Sequence, residues 1–318
     1  MLEKFSRNLS LILSAHNEKI AVAISGGADS FALLHLSQQW ATLNNTKIIA
    51  LTVDHQLRAA SADEAKAVAQ WCADNNIEHH TLLWAGEKPT TAIQATARNA
   101  RRHLLCRAAQ EQGIAYLLLG HQADDQAETM LMRLQRGTGL NGLKAMQPMT
   151  RDTATHVAIL RPLLDVRRAE LRSYCIDNHL PFIDDPSNEN TDYERVRVRQ
   201  ALDALPELAG GITKTATRLA RANETLNLLA RHWFDAHAQF PEPEVIWLPS
   251  LKDALPEICL RILQICCPGA GLPQLEKLAL EMDAHSFGGM TLGEQWIRPK
   301  VMDKQTGFIF QKAPQRRN

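Results

Sequence analysis

The sequence predicts an α/β fold in which a doubly wound, mostly parallel sheet is followed by a second, mainly helical domain. Short apolar runs alternate with longer amphipathic stretches over residues 20–120, which is typical of β-α-β units. The length of 318 residues exceeds what one hydrophobic core usually serves. The alternation fades after Gln147, and Pro206 and Gly210-Gly211 interrupt the chain further on. We therefore expect domains at residues 1–209 and 210–318.

Four strands are predicted in the first half of the chain, each followed by a turn. These strands are Ile20–Ser25, Lys47–Asp54, His79–Trp84 and Ala115–Gly120. The amphipathic helices between them are Ser30–Trp40, Ala62–Asn75 and Ile93–Gln112. Parallel strands of a doubly wound sheet deliver their carboxyl ends to one edge, where such folds bind ligands. Functional residues are therefore sought directly after these strands.

The sequence after the fourth strand predicts mainly helices, with fewer strands. A strand is expected at Val157–Leu160 and a helix at Arg167–Asn178. In the second domain, a long amphipathic helix is expected from Ile212 to about Ala238, followed by shorter helices up to Glu281. The pattern turns β-like at Met290–Phe310.

Composition excludes several classes of protein. The balance of 35 basic and 35 acidic residues argues against a protein that coats nucleic acid indiscriminately. No apolar run approaches the roughly 18 residues of a membrane helix, and the first residues do not resemble a signal peptide, so no membrane contact and a cytoplasmic location are expected. The six cysteines form no Cys-x-x-Cys pair, which favours reduced, buried thiols.

The most specific motif is a glycine-rich loop between a predicted strand and a predicted helix, Ser25-Gly26-Gly27-Ala28-Asp29-Ser30. Two glycines allow the backbone to turn tightly and to point its amides inward, and the helix N-terminus adds partial positive charge. The two serine hydroxyls add hydrogen-bond donors. The loop therefore predicts a polyphosphate site; the plainer alternative is a Gly-Gly turn between strand and helix.

Asp29 stands where the Walker A pattern would have lysine. A carboxylate beside phosphates is favourable when Mg²⁺ lies between them. Asp29 is therefore predicted to be a metal ligand, and the loop is predicted to hold a polyphosphate together with Mg²⁺.

A second group of polar residues follows the fourth predicted strand, in Gly120-His121-Gln122-Ala123-Asp124-Asp125-Gln126-Ala127-Glu128-Thr129. If this segment is helical throughout, His121, Asp125 and Glu128 share one face. Two carboxylates then lie over the same sheet edge as the glycine loop. A zinc site is disfavoured because only one histidine is present. An acidic first turn that complements the helix dipole remains an alternative.

A second glycine string, Gly137-Thr138-Gly139-Leu140-Asn141-Gly142, matches the dinucleotide pattern G-x-G-x-x-G. That pattern must follow a strand and open a helix. This string follows the helical stretch Ala123–Gln135 instead. We therefore predict that it is a helix end, with Gly137 in the capping position, rather than a cofactor site.

Together these motifs resemble the PP-loop family and, within it, the tRNA(Ile)-lysidine synthases, over most of residues 18–210. The other matching segments are Val53–Arg58, Ala97-Arg98, Arg101-Arg102, Arg133-Leu134, Arg136–Leu140 and Asp184–Asn188. The resemblance implies cleavage of ATP to AMP and pyrophosphate, with Mg²⁺. It further implies adenylation of the wobble cytidine of tRNA(Ile) with a CAU anticodon, and displacement of AMP by L-lysine to form lysidine. The chain resembles a short form of these enzymes.

The resemblance also assigns roles to residues. Catalytic roles fall on Asp29, Arg101, Asp125 and Glu128, and nucleotide binding on Ser25, Gly26, Gly27, Ala28, Asp29, Ser30, Asp54 and His55. Asp125 and Glu128 are predicted to bind and deprotonate lysine, and which of them is the base stays open. Arg101 is predicted to neutralise charge that develops on the phosphate.

Basic residues near the predicted domain boundary suit a tRNA backbone; they are Arg195, Arg197, Arg199, Lys214, Arg218 and Arg221. Two positions depart from the family pattern, His103 in place of tyrosine and Val196 in place of a polar residue. A PP-loop enzyme that thiolates tRNA and a nucleotide-binding module without turnover remain alternatives. NAD and asparagine synthetases would not explain the arginines. A homodimer is compatible with the sequence, which does not give the oligomeric state.

Overall fold

The computed structural model describes residues 1–13, 18–54, 61–84, 93–183, 191–284 and 286–314. The chain divides into two compact units. The first comprises Met1–Met132 and Ala145–Lys214, and the second comprises Arg133–Lys144 and Thr215–Asn318. Within the described ranges, every helix is too short or too polar to cross a membrane. The functions predicted for the two halves of the chain stay predictions.

The first unit is built on a six-stranded sheet. Its strands are β1 (Lys19–Ala23), β2 (Lys47–Asp54), β3 (Glu78–Leu83), β4 (Tyr116–Leu118), β5 (Met149–Arg151) and β6 (Ala158–Leu160). Their order is β3-β2-β1-β4-β6-β5, and every pair is parallel except β5 with β6. The predicted mostly parallel sheet is confirmed, and the short edge strand β5 was not predicted.

Helices cover both faces of this sheet. The first unit contains α1 (Leu2–Ile12), α2 (Ala28–Asn44), α3 (Ser61–Asp74), α4 (Ile93–Glu111), most of α5 (Ala123–Gln135), α7 (Arg168–Asp177) and α8 (Glu194–Asp203), whereas α6 (Leu140–Leu143) belongs to the second unit. Side chains alternate along β1, so that Ile20 and Val22 join one core with Phe31 of α2, whereas Ala21 joins the other core with Leu105 of α4. The two cores show the doubly wound arrangement that the sequence predicts.

The strand order places a switch point between β1 and β4. From β1 the chain continues to β2 and β3 on one side, and it later returns to β4 and β6 on the other. The segments that follow β1 and β4 are therefore neighbours. Gly120 shows how closely they approach, because a Cβ atom there would lie 3.1 Å from the carbonyl oxygen of Asp29. Doubly wound sheets bind ligands at such a point.

The second unit combines helices with an antiparallel sheet. It contains the C-terminal part of α9 (Pro206–His237), with α10 (Pro256–Cys266), α11 (Leu272–Asp283), β7 (Gln239–Glu242), β8 (Val245–Pro249), β9 (Met290–Leu292), β10 (Gln295–Met302) and β11 (Gln305–Lys312). The strand order is β7-β8-β11-β10-β9. Its core includes Leu248, Ile262, Leu278 and Phe310. The predicted β-like finish is present, and β7 and β8 were not predicted.

Two local predictions on glycines have different outcomes. Helix α9 begins at Pro206 and continues through Gly210-Gly211 rather than starting at Ile212, since proline suits a first helical turn and a helical glycine costs only about 1 kcal/mol. The helix end at Gly137 is confirmed by its φ of +63°. The Gly137 amide donates to the carbonyl of Leu134, and the next amide donates to that of Arg133, as in a Schellman motif.

Candidate active site

The loop between β1 and α2 is held in one shape by its own serines. The Ser30 hydroxyl oxygen accepts a hydrogen bond from the Ser25 amide at 3.1 Å, and the hydroxyl donates to the carbonyl of Gly27 at 2.8 Å. Gly26 has a φ of +86°, which glycine adopts without strain. The carbonyl of Gly26 accepts a hydrogen bond from the Ile183 amide at 2.9 Å. Hydrogen bonds within the chain therefore define the conformation of the loop.

The N-terminus of α2 is open toward a ligand. Gly27 occupies the capping position, and within the described part of the chain no side chain caps this helix end. A Cβ atom at Gly27 would meet no heavy atom within 4 Å. Free amide groups and the positive end of the helix dipole beside open space are what an anionic phosphate requires. The geometry fits the predicted polyphosphate.

Asp29 lies in the first turn of α2. Its Oδ1 atom is buried and has no hydrogen-bond partner among the residues that the structure describes. Burial and the negative charge of Asp125 raise the pKa of Asp29 to about 6. A buried carboxylate oxygen without a partner is unfavourable, and a divalent cation would remove that cost. The position thus fits a Mg²⁺ ion that is held jointly with phosphate oxygens.

The start of α5 carries a reciprocal cap. The side-chain oxygen of Gln122 accepts hydrogen bonds from the amides of Asp124 at 2.5 Å and Asp125 at 3.3 Å. In return, the Gln122 amide donates to Oδ2 of Asp125 at 3.1 Å. This capping makes the helix begin after Gln122. The prediction that His121 shares a helical face with Asp125 and Glu128 is therefore wrong, because His121 precedes the helix.

Glu128 is buried among three arginines. Its side chain is 1% exposed. One carboxylate oxygen accepts from Arg168 and from Arg199, each at 2.9 Å, and the other accepts from Arg195 at 2.5 Å. Burial alone would raise the pKa of Glu128, but the three guanidinium groups lower it to about 2. Glu128 is therefore an ionised anchor for these arginines.

Asp125 shares one of these arginines. Its Oδ1 atom accepts from Arg195 at 2.5 Å, and the guanidinium of Arg168 lies 4.0 Å away. The Asp125 side chain is 14% exposed, more than that of Glu128. The two predicted carboxylates and Asp29 are thus brought together at the switch point. Both Asp125 and Glu128 are engaged by Arg195.

The spacing of Arg195 and Arg199 on helix α8 explains why both reach the carboxylates of α5. Arg195 and Arg199 lie one helical turn apart on one face and bind carboxylates. Arg197 lies between them, is exposed, and donates to the carbonyl of Thr191 at 2.8 Å. Arg195 and Arg199 therefore bind carboxylates in this structure, although the sequence predicts that they face a tRNA backbone. Val196, an unusual residue at its position, is buried.

The remaining predicted site residues have different outcomes. Asp54 is buried at the end of β2, and Arg101 is half-buried on α4. Their functional roles stay predictions. His55 and residues 184–188 lie outside the described part of the chain.

Two residues of the cluster were missed in the sequence. Arg168 opens α7, after the turn that follows β6, so it reaches the same sheet edge as the carboxylates. Its position after a strand of the sheet was the available signal. Gln122 stands three residues before Asp125, which is the spacing of a capping box, although Ser or Thr is the usual first residue of that motif.

Comparison with known proteins agrees with this geometry. The sequence profile of the PP-loop domain matches residues 1–207. A tRNA(Ile)-lysidine synthase of Bradyrhizobium diazoefficiens is 41% identical over 215 residues, which cover 66% of this chain and 59% of that protein. One from Hyphomonas neptunium is 38% identical over 291 residues, which cover 86% of this chain and 77% of that protein. The chain belongs to the tRNA(Ile)-lysidine synthase family.

The extent of the match differs between relatives of this family. The chain spans about six tenths of the length of the Bradyrhizobium, Rhodopseudomonas and Mesorhizobium proteins, at 59%, 62% and 57%. Among solved structures, the U34-tRNA thiolase NcsA of Methanococcus maripaludis superposes with a TM-score of 0.59 at 21% identity, covering 70% of this chain and 78% of that one. This likeness concerns the fold. Membership of the PP-loop family implies that the protein binds ATP.

Proposed function

We propose that the protein ligates L-lysine to C2 of the wobble cytidine of tRNA(Ile) with a CAU anticodon. The reaction passes through an adenylated tRNA and releases AMP and pyrophosphate. The observation that carries this proposal is the juxtaposition, at one switch point, of an open phosphate loop with Asp29 and a carboxylate pair, Asp125 and Glu128. Similarity to tRNA(Ile)-lysidine synthases supports it.

The phosphate loop is proposed to hold the ATP triphosphate. The α2 amides and the Ser25 hydroxyl donate to phosphate oxygens, and Asp29 is the ligand for Mg²⁺. When bound, Mg²⁺ would neutralise phosphate charge and favour departure of pyrophosphate. Arg101 and the nucleotide contacts of Asp54 and His55 remain part of the proposal.

The carboxylate pair is proposed to bind lysine. A lysine ε-amine has a pKa of about 10.4, so keeping it neutral at pH 7 costs about 4.6 kcal/mol unless a base accepts its proton. Glu128 holds three cations and its pKa is about 2, which makes it a poor base. We therefore assign the base to Asp125 and a supporting role to Glu128. The ammonium of lysine would replace the Arg195 guanidinium beside Asp125.

The thiolation alternative is disfavoured by the cysteines. All six are free, and burial raises the pKa of each thiol. Sulfur transfer needs an accessible thiolate, which a lowered pKa would favour. The alternative of a binding module without turnover does not account for three carboxylates, one buried and two partly buried, beside the phosphate loop.

The tRNA is proposed to contact the exposed basic side chains of Arg197, Lys214, Arg218 and Arg221. A substrate of this kind is consistent with work in the cytoplasm. The homodimer stays a prediction.

The direct test is incorporation of lysine into tRNA. The protein is incubated with ATP, labelled lysine and bulk tRNA, and acid-precipitable label and nucleotide products are measured. We expect label in tRNA together with AMP. ADP as the main nucleotide product would contradict the proposal.

The lysine site is tested with Asp125→Asn. A contact to a charged group contributes about 1.5–3 kcal/mol, so lysine use should weaken by about tenfold or more, while ATP affinity is spared. Glu111→Gln is the matched control, because Glu111 lies in an exposed ion pair of the same unit, with Arg107. Normal lysine use by the Asn variant, or an equal loss of ATP affinity, would show that Asp125 is not the lysine ligand.

A further inference from the structure

Gln122 is fully buried and lies between two carboxylates of the site. Its side-chain oxygen accepts from the amides of Asp124 and Asp125. These two N–H donors determine the orientation of the side-chain amide, because its nitrogen would repel them if the group were flipped. The Nε2 atom must therefore point away from α5. Gln122 belongs neither to the glycine loop nor to the acidic residues that follow β4, so neither of the proposed binding sites includes it.

The nitrogen of Gln122 faces Asp29. Gly120, two residues earlier, packs against the backbone of Asp29, which brings this segment beside the start of α2. Burial raises the pKa of Asp29, and the Gln122 side chain is close enough to the carboxylate to act in the opposite direction. Even so, Nε2 of Gln122 and Oδ1 of Asp29 are both buried without a hydrogen-bond partner among the described residues. A donor and an acceptor thus lie side by side, unmatched.

We propose that Gln122 is a positioning residue for the metal and nucleotide, in which Nε2 donates to the Asp29 carboxylate and fixes its orientation toward the ion. A carboxylate that is hydrogen-bonded on one oxygen loses less freedom when it binds a cation. Because the oxygen of the same amide holds the start of α5, Gln122 also keeps Asp125 in register with Asp29. The inference rests on the proposed binding of ATP by the loop.

The test separates this role from helix capping. Gln122→Ser and Gln122→Asn keep a side-chain acceptor that caps helices well, but both are too short to reach Asp29. Affinity for Mn²⁺·ATP is measured without tRNA or lysine, from the electron paramagnetic resonance signal of free Mn²⁺. Thermal unfolding of each variant is measured in parallel. We expect near-parental unfolding temperatures and about tenfold weaker Mn²⁺·ATP binding, the factor expected for a hydrogen bond to a charged group.

A double-mutant cycle with Asp29→Asn decides whether Gln122 acts through Asp29. If it does, Gln122→Ser has little further effect once Asp29 is replaced. Additive losses would overturn the inference, and so would parental affinity in both short variants. A parent that fails to bind Mn²⁺·ATP would overturn the proposed function as well. If the parent binds Mn²⁺·ATP and both variants bind it equally well, only the proposed role of Gln122 is overturned.

Discussion

Helices α2 and α5 each place a carboxylate, Asp29 and Glu128, at the same sheet edge, yet the two have opposite surroundings. Asp29 is left without a partner on Oδ1, and burial together with Asp125 raises its pKa to about 6. Glu128 is buried more deeply, but three arginines lower its pKa to about 2. Burial penalises both charges, and only the partners differ. Asp29 is thus prepared for a cation from outside, whereas Glu128 is already neutralised by the protein.

The two shifts have opposite consequences for stability. The pKa of Asp29 lies above its ordinary value of 3.8 in the folded state, so its ionisation destabilises the fold progressively from about pH 4 to pH 6. The pKa of Glu128 lies below its ordinary value of 4.5, so it stabilises the fold above pH 4.5. That contribution is lost as the pH falls from 4.5 toward 2.

The largest expected effect is that of Asp29→Asn on catalysis. AMP formation should fall by about a hundredfold or more, because a positioned charge at a site of phosphoryl chemistry contributes that much. The free energy of unfolding should increase, because the substitution removes a charge that burial penalises. Part of the side chain reaches solvent, so the variant should gain on the order of 2 kcal/mol in free energy of unfolding at pH 8 and almost nothing at pH 4.

Urea unfolding at both pH values and chromatography of the nucleotides measure these effects. An Asn variant that keeps parental turnover would remove Asp29 from the site. Equal stability gains at pH 4 and pH 8 would show that its charge is not penalised in the folded protein.

Next in size is the effect of Glu128→Gln on stability. Removal of the shared anion leaves three guanidinium groups, each about a quarter exposed, of which those of Arg168 and Arg195 keep Asp125 within 4.0 Å. Loss of one partner from a buried ion pair costs about 3 kcal/mol or more. We expect this loss at pH 7, and we expect it to shrink as the pH is lowered from 4.5 toward 2.

Glu111→Gln serves as control, because its pair with Arg107 is exposed and should contribute at most about 0.5 kcal/mol. Urea unfolding of both variants is compared. Similar losses of unfolding free energy in the two variants would mean that water solvates the arginines around Glu128 as well as it solvates Arg107.

A smaller effect separates two neighbouring glycines of the phosphate loop. Gly26→Ala must adopt a φ of +86° and should cost about 1–2 kcal/mol in stability. Gly27 has a φ of −78°, which alanine adopts readily, and a methyl group there would meet open space. The stability of Gly27→Ala should therefore equal that of the parent. That methyl group would occupy the space proposed for phosphate, and ATP affinity should fall. Parental ATP affinity in Gly27→Ala would place the phosphates elsewhere.

The smallest effect concerns exposed arginines of α9. Arg218→Ala with Arg221→Ala should change the free energy of unfolding by less than about 0.5 kcal/mol per residue. Each lost phosphate contact should lower the slope of log affinity for tRNA against log salt by about 0.7–0.9. Lys277→Ala, an exposed lysine of α11, is the control. An unchanged slope in the double variant would show that these arginines face solvent in the complex.

The backbone path of the glycine loop could be predicted because its determinants are adjacent in the chain. An apolar strand, two glycines and a helix start define the backbone path locally, and the structure places β1, Gly26 and α2 accordingly. The same holds for the helix end at Gly137, whose hydrogen bonds join residues within one turn. Local rules of backbone geometry decide such features.

The start of α5 and strand β7 could not be predicted from apolar periodicity alone. Helix α5 starts late because Gln122 caps it, which moves His121 out of the helix. Strand β7 contains Pro241 and is exposed along its whole length, so it lacks the apolar alternation of a strand. It is a strand because β8 provides a partner for its backbone.

The sequence by itself determined the doubly wound sheet, the conformation of the glycine loop and the family, since each rests on short patterns whose order along the chain is visible. Only the tertiary structure decided the charge state of the site. Arg168, Arg195 and Arg199 reach Glu128 from positions 40, 67 and 71 residues away. Spacing along the chain carries no information on such pairs, and the sign of a buried group's pKa shift depends on which charges packing brings within a few ångströms.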